Sequence, residues 1–116
     1  MRRVETAGWT LEITETHVER TRGLLGRTEL DPTHALVLRR CSSVHTIGMR
    51  FPIDVIAFDA DWETIDVRTL PPGRMSWPRR RVRNVIETAA GRGQAFNASL
   101  DGRTIREALG TDRRRT

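Results

Sequence analysis

Two short runs and the turn between them restrict the fold more than anything else in the chain. Ile53 to Phe58, IDVIAF, is apolar and rich in β-branched residues, Asp59 to Trp62 can turn the chain, and Thr64 to Leu70 alternates in polarity. That order predicts a β-hairpin. Trp9, Leu11 and Ile13 alternate with Thr10, Glu12 and Thr14, the period-2 pattern of a half-buried strand over about residues 8 to 14. Ala35 to Leu38, ALVL, follows Pro32 and reads as a buried strand, and another is expected at about Val82 to Thr88. Pro71 to Pro78, PPGRMSWP, holds three of the five prolines and should be an exposed loop.

Helical signals are fewer. Thr16 stands three residues before Glu19, the spacing of a capping box, so a short helix should start there and stop near Arg27 to Leu30. Val18, Thr21 and Leu25 give it an apolar face, while Gly23 and Gly26 weaken it. One helical turn fits Gln94 to Leu100, and Asp101 with Gly102 supplies a turn. Thr104 to Leu109 fits two readings: Ile105 and Leu109 share a helical face, whereas Thr104 and Ile105 favour a sheet, and the strand is preferred. Strands do not alternate with helices, and Gly91 and Gly93 match neither a dinucleotide loop nor a P-loop. These elements predict a mainly β fold with minority helices: a compact, mainly antiparallel sandwich or partly open barrel with one or two short helices. Residues 1–110 form one domain on this reading, and 111–116, TDRRRT, a frayed basic tail.

A chain of 116 residues supports one hydrophobic core. A single cysteine allows no internal disulfide, and Met1 to Thr14 has no apolar core of signal-peptide length, so the cytoplasm is the expected compartment. No apolar run approaches the ~20 residues of a membrane-spanning helix. The net charge of +5 comes entirely from arginine, since all twenty basic residues are Arg. Solvated surface is the plainer reading. The alternative is weak nucleic-acid binding through Arg79, Arg80, Arg81, Arg83 and the tail, although three Trp, three Phe and no Tyr offer no stacking ladder beside them.

Candidate chemistry gathers between Cys41 and Val55, CSSVHTIGMRFPIDV. If the chain between Cys41 and His45 were extended, their backbones would stand about 13 Å apart, so the pair needs Ser42 and Ser43 to turn it. A zinc site would further need His34, His17 or Asp54, and neither a metal nor another cofactor is expected. A reactive Cys41, with His45 as base and Asp54 as orienter, would make the chain a hydrolase or transferase. Against this, a lone cysteine beside an apolar strand is commonly a small core residue. Asp54 sits in an apolar strand where an unpaired carboxylate is costly, so it needs a partner. Arg50 or the backbone donors of the Thr46 to Met49 turn are the candidates, which would make Asp54 an architectural tether ahead of Pro52.

ERTRGLLGR at Glu19 to Arg27, CSSVHTIGMRFPIDVIAFD at Cys41 to Asp59, LPPGR at Leu70 to Arg74 and VIETAAG at Val85 to Gly91 together resemble the bacterial and archaeal domain of unknown function 192 family. The resemblance covers roughly residues 5 to 109, with SVHTIGMRFPID its most specific block. It implies a small β-rich domain with an N-terminal helical excursion and no established activity. Trp62 departs from the pattern, since family members often carry glycine in that hairpin turn, and TAAGRGQAFNASLDGRTI is a loose version of the closing segment.

The leading functional expectation is a non-enzymatic cytoplasmic binding or accessory domain whose partner is an anionic small molecule or peptide. Its surface would be the rim formed by residues 41–50 and the 71–77 loop. His45, Arg50 and Arg74 would give polar contacts, Met49 and Trp77 apolar ones, while Phe51 is expected to fill the core.

Overall fold

A computed structural model describes residues 1–16, 18–19, 23–76 and 79–110. Six strands, β1 (Arg2–Thr6), β2 (Trp9–Ile13), β3 (His34–Arg39), β4 (Ile53–Phe58), β5 (Thr64–Leu70) and β6 (Asn84–Ala89), are followed by two helices, α1 (Gly93–Ser99) and α2 (Gly102–Leu109). The strands form one open sheet in the order β1-β2-β3-β6-β4-β5, not closed into a barrel. Every neighbouring pair is antiparallel except β2 and β3, which the intervening segment joins as a parallel pair.

The expected β-rich fold with short helices is what forms. The β4–β5 hairpin pairs Ile53 with Leu70 through to Phe58 with Thr64, with an irregularity between Ala57 and Phe58. Its turn holds Trp62 at φ +63°, a left-handed value that favours glycine. Trp62 occupies it because its ring is buried against Phe58, 5.2 Å between centroids.

Two features differ from the sequence reading. β1 was not expected: it contains one apolar residue, Val4, and exists because Ala7 and Gly8 both take positive φ (+51° and +82°) and fold Thr6 back onto Trp9. That two-residue turn matches the twist of a hairpin. The segment from Thr104 to Leu109 is helical, not a strand. The Asp101 carboxylate caps it by accepting from the Thr104 N–H at 2.8 Å, and Ile105 and Leu109, four apart, turn inward together. Capping and burial of one face outweigh the β preference of two residues.

The Thr16 capping box is present, with Thr16 Oγ1 accepting from the Glu19 N–H and Glu19 Oε1 accepting from the Thr16 N–H. The rest of the expected first helix, which includes Thr21, falls partly outside the described residues, as do His17, Trp77 and the 111–116 tail.

Alternation gives the sheet two covered faces. Trp9, Leu11, Ile13, Ala35, Val37, Ile56, Phe58 and Ile86 pack under Phe96 and Leu100, around α1, and Ile105 and Leu109 of α2. Trp9 meets Phe96 edge to face at 5.0 Å, with the Arg92 guanidinium 5.2 Å above the Trp9 ring. Leu36, Leu38, Ile53, Val55, Ala57, Leu70 and Val85 face the other way, beneath the loops that carry Leu24, Leu30, Val44 and Val82.

Candidate functional site

The loop-covered face carries the polar chemistry. Thr46 is fully buried and stitches two loops together: its hydroxyl donates to the Pro71 carbonyl at 2.6 Å, and its Oγ1 accepts from the Arg74 N–H at 2.9 Å. Ser76 completes the seam by accepting from the Val44 N–H at 2.9 Å, and His45 pairs with Met75 in an isolated antiparallel bridge. The two loops singled out in the sequence therefore form one body.

Between that body and the sheet lies a cavity of about 110 Å³. Val55, Ala57 and Val85 make its floor and Val82 a wall, with Ser42, Ser76, Asp66, Arg68 and Arg79 at its mouth. Asp66 Oδ2 accepts from Arg68 Nε at 2.7 Å and from Arg79 Nη1 at 2.9 Å. One carboxylate thus holds two guanidiniums in place and leaves the mouth with one net positive charge. Each arginine has five N–H donors, so both keep donors for a ligand. The Ser42 hydroxyl makes no hydrogen bond among the described residues.

Two buried carboxylates lie on the same face, in one row across the sheet: Glu12, Leu36, Glu87, Val55 and Arg68 are successive cross-strand partners. Burial works against the charge of Glu12, but Arg27 (3.0 Å) and Arg3 (3.3 Å) outweigh it and hold its carboxyl below the usual range. His34 Nδ1 stands 3.8 Å from the same carboxylate. Glu87 sits between Leu36 and Val55 with no hydrogen bond among the described residues, and burial pushes its carboxyl up to about 7.

The structure does not assemble Cys41, His45 and Asp54. Cys41 is partly buried against the loop-face cluster, and its thiol donates to the Ser43 carbonyl at 3.0 Å. His45 is exposed on the outer loop surface. Asp54 is on the opposite face of the sheet, where it accepts from the Thr69 hydroxyl at 2.6 Å and from the N–H groups of Gly91 (3.0 Å) and Gly93 (2.8 Å). Its partners are therefore the entrance to α1 and a β5 hydroxyl, not Arg50 or the Thr46 to Met49 turn. A Cβ at Gly93 would lie 2.9 Å from the Asp54 Cβ, so the tether also requires glycine there. Pro52 is exposed, directly ahead of β4.

Met49 and Phe51 are partly buried and pack on the loop-face cluster. Arg50 and Arg74 are exposed. Of the arginines considered for nucleic acid, Arg79 is engaged by Asp66, Arg81 lies 3.7 Å from Asp59, and Arg83 donates back to the carbonyls of Arg80 and Val82. Arg80, Arg81 and Arg83 border an open basin of about 310 Å³ whose other side is Asp59 and Asp61, so acidic charge interrupts the cluster. Among the described residues no three His, Cys, Asp or Glu side chains group as a metal site.

Sequence reasoning missed Asp66, Arg68 and Glu87. The first two lie on the polar side of a recognised strand, which gives no hint of a cavity. Glu87, in NVIETA, carries the same signal as Asp54, a carboxylate inside an apolar strand, and could have been found by it.

A family model described as uncharacterized ACR, domain of unknown function 192, matches residues 2–104. A UPF0127 protein of Pyrococcus horikoshii is 33% identical over 87 residues, which are 70% of this chain and 73% of that protein. Among solved structures, a protein of unknown function from Novosphingobium aromaticivorans superposes with a TM-score of 0.62 at 21% identity, covering 83% of this chain and 73% of that one. A Sinorhizobium meliloti protein, described provisionally as a transcription regulator, gives 0.64 at 20% identity, covering 81% and 78%. These two likenesses show a shared fold.

Proposed function

The chain belongs to the domain of unknown function 192 family, and from that premise we propose that it is a non-enzymatic binding domain for a small organic anion, seated in the cleft beneath the two stitched loops. The observation that carries this reading is the cavity itself: an apolar floor of Val55, Ala57 and Val85 under two guanidiniums that Asp66 holds in place. A pocket with an apolar lining and a few convergent polar groups is the usual form of a small-ligand site. The volume, about 110 Å³, is close to four times the ~30 Å³ share of a liquid water. A short-chain carboxylate matches it, with the alkyl end on the valines and the carboxylate at Arg68 and Arg79, hydrogen-bonded further by Ser42. The lone cysteine suits a reducing compartment, so the proposed setting is the cytoplasm.

Titration calorimetry with acetate, propionate and butyrate tests the proposal, with propionamide as the uncharged control. Propionate should bind, propionamide should not, and Arg68→Ala should abolish the heat while leaving the unfolding free energy from urea within about 0.5 kcal/mol, since Arg68 is exposed. Equal heats from propionate and propionamide, or binding that survives Arg68→Ala, would refute the proposal.

A further inference from the structure

We propose that the outer surface of the stitched loops docks an acidic, apolar peptide segment of a partner protein. Ile47 and Met75 are each 53% exposed and Leu25 is 40% exposed. Gly48 brings them together: a Cβ there would lie only 3.0 Å from Leu25 Cδ1, so the Leu25 side chain rests on bare backbone beside Ile47. Across the seam, the bridge from His45 to Met75 and the Thr46 N–H bond to the Arg74 carbonyl set Met75 beside the same rim. Scattered exposed apolar residues are ordinary, but three carried on segments that are joined to one another at Gly48 and at the His45–Met75 bridge mark an interaction surface. None of the three lines the cleft, so this surface stands independently of the small-anion reading.

Charge selects the occupant. Arg50 and Arg74 are exposed and neither makes an ion pair among the described residues, whereas Arg27, Arg68 and Arg79 are occupied by Glu12 and Asp66. No acidic residue occurs in residues 41–50 or 70–76. Ile47 and Met75 are therefore flanked in their own loops only by positive and neutral groups, and the exposed acid in the segment that carries Leu25, Glu29, lies four residues beyond it. A segment with Asp or Glu around apolar side chains complements both features, the charges guiding encounter and the apolar contacts supplying affinity. The aliphatic character of the patch disfavours single-stranded nucleic acid, which uses aromatic platforms.

Fluorescence anisotropy on the full chain tests this with a labelled dodecapeptide of alternating Glu and Leu. It should bind at least about tenfold more tightly than peptides alternating Glu with Ser or Lys with Leu. Replacing Ile47→Ser with Met75→Ser, or Arg50→Glu with Arg74→Glu, should each weaken binding by about tenfold or more without moving the urea midpoint, because all four side chains are exposed. Arg68→Ala should leave peptide binding unchanged, which separates this surface from the cleft. Equal binding of either control peptide, indifference to both double variants, or preferential binding of phosphatidylglycerol vesicles or a single-stranded RNA dodecamer would overturn the proposal.

Discussion

On the helix-covered face of the sheet the buried carboxylate, Asp54, is held by three donors, one hydroxyl and two backbone N–H groups. On the loop-covered face Glu12 is partnered by two arginines, Glu87 has no hydrogen bond among the described residues, and a cavity remains beside Val55. The difference is the ground for proposing the loop face, not the helix face, as the binding side. The helix face is a core whose polar intrusion is satisfied and spent on closing α1 over the sheet. The loop face has a carboxylate, Glu87, without a hydrogen bond among the described residues, and a separate cleft where Arg68, Arg79 and Ser42 keep donors, the feature on which the proposed binding rests.

The strongest way to break this comparison is Asp54→Ala. Each hydrogen bond to a charged group is worth ~1.5–3 kcal/mol, and truncation removes three of them and leaves the buried Gly93 N–H at the start of α1 without its acceptor, so a loss on the order of 3–5 kcal/mol in urea unfolding is expected. An unchanged midpoint would mean that the helix face does not depend on its tether.

The next effect, about 3 kcal/mol, belongs to the loop face and depends on pH. The Glu87 carboxyl titrates near 7 when folded and near its ordinary 4.5 when unfolded. Between those values the native state binds a proton that the unfolded state does not, so stability should fall as pH rises from about 4.5 to 7, by about 3 kcal/mol in all. Glu12 acts in the opposite direction: its folded pKa lies below the ordinary value, so its contribution is full above about 4.5 and is lost as pH falls through the lowered value. Unfolding followed across pH should therefore show a maximum near pH 4.5 to 5 and a decline from there to about pH 7, which Glu87→Gln removes. A decline that persists in Glu87→Gln would assign it to another group.

Smallest is Asp101→Ala, which removes the α2 cap and should cost about 1 kcal/mol. It sharpens the comparison because helix-face stability should drop while propionate binding at the loop face stays unchanged.

The legible parts of this fold are those whose signal is local. The β4–β5 hairpin was readable because two runs of six and seven residues flank a clear turn. β1 was not, because its single apolar residue, Val4, gives no period and its existence rests on the backbone conformation of Ala7 and Gly8. Residues 104–109 favour a strand in the sequence because propensity is local, whereas burial of Ile105 and Leu109 on one helical face is a tertiary effect. At the site, the need of Asp54 for a partner followed from its apolar neighbours, but its partners Gly91 and Gly93 lie 37 and 39 residues away and nothing in the sequence singles them out. The two loops the sequence singles out do pair, through residues 44–46 and 71–76. The cleft they cover is not legible in the sequence, since its mouth combines β5, the 79–83 segment and both loops, an arrangement that exists only in three dimensions.

The central claim, that the loop face binds and the helix face does not, is tested most directly by mapping amide chemical shifts during a propionate titration. Saturable shifts should cluster at Ser42, Val55, Ala57, Arg68, Ser76 and Val82, with Gly91, Gly93 and Phe96 unmoved. Shifts centred on the α1 entrance, or spread without saturation over exposed arginines, would contradict it.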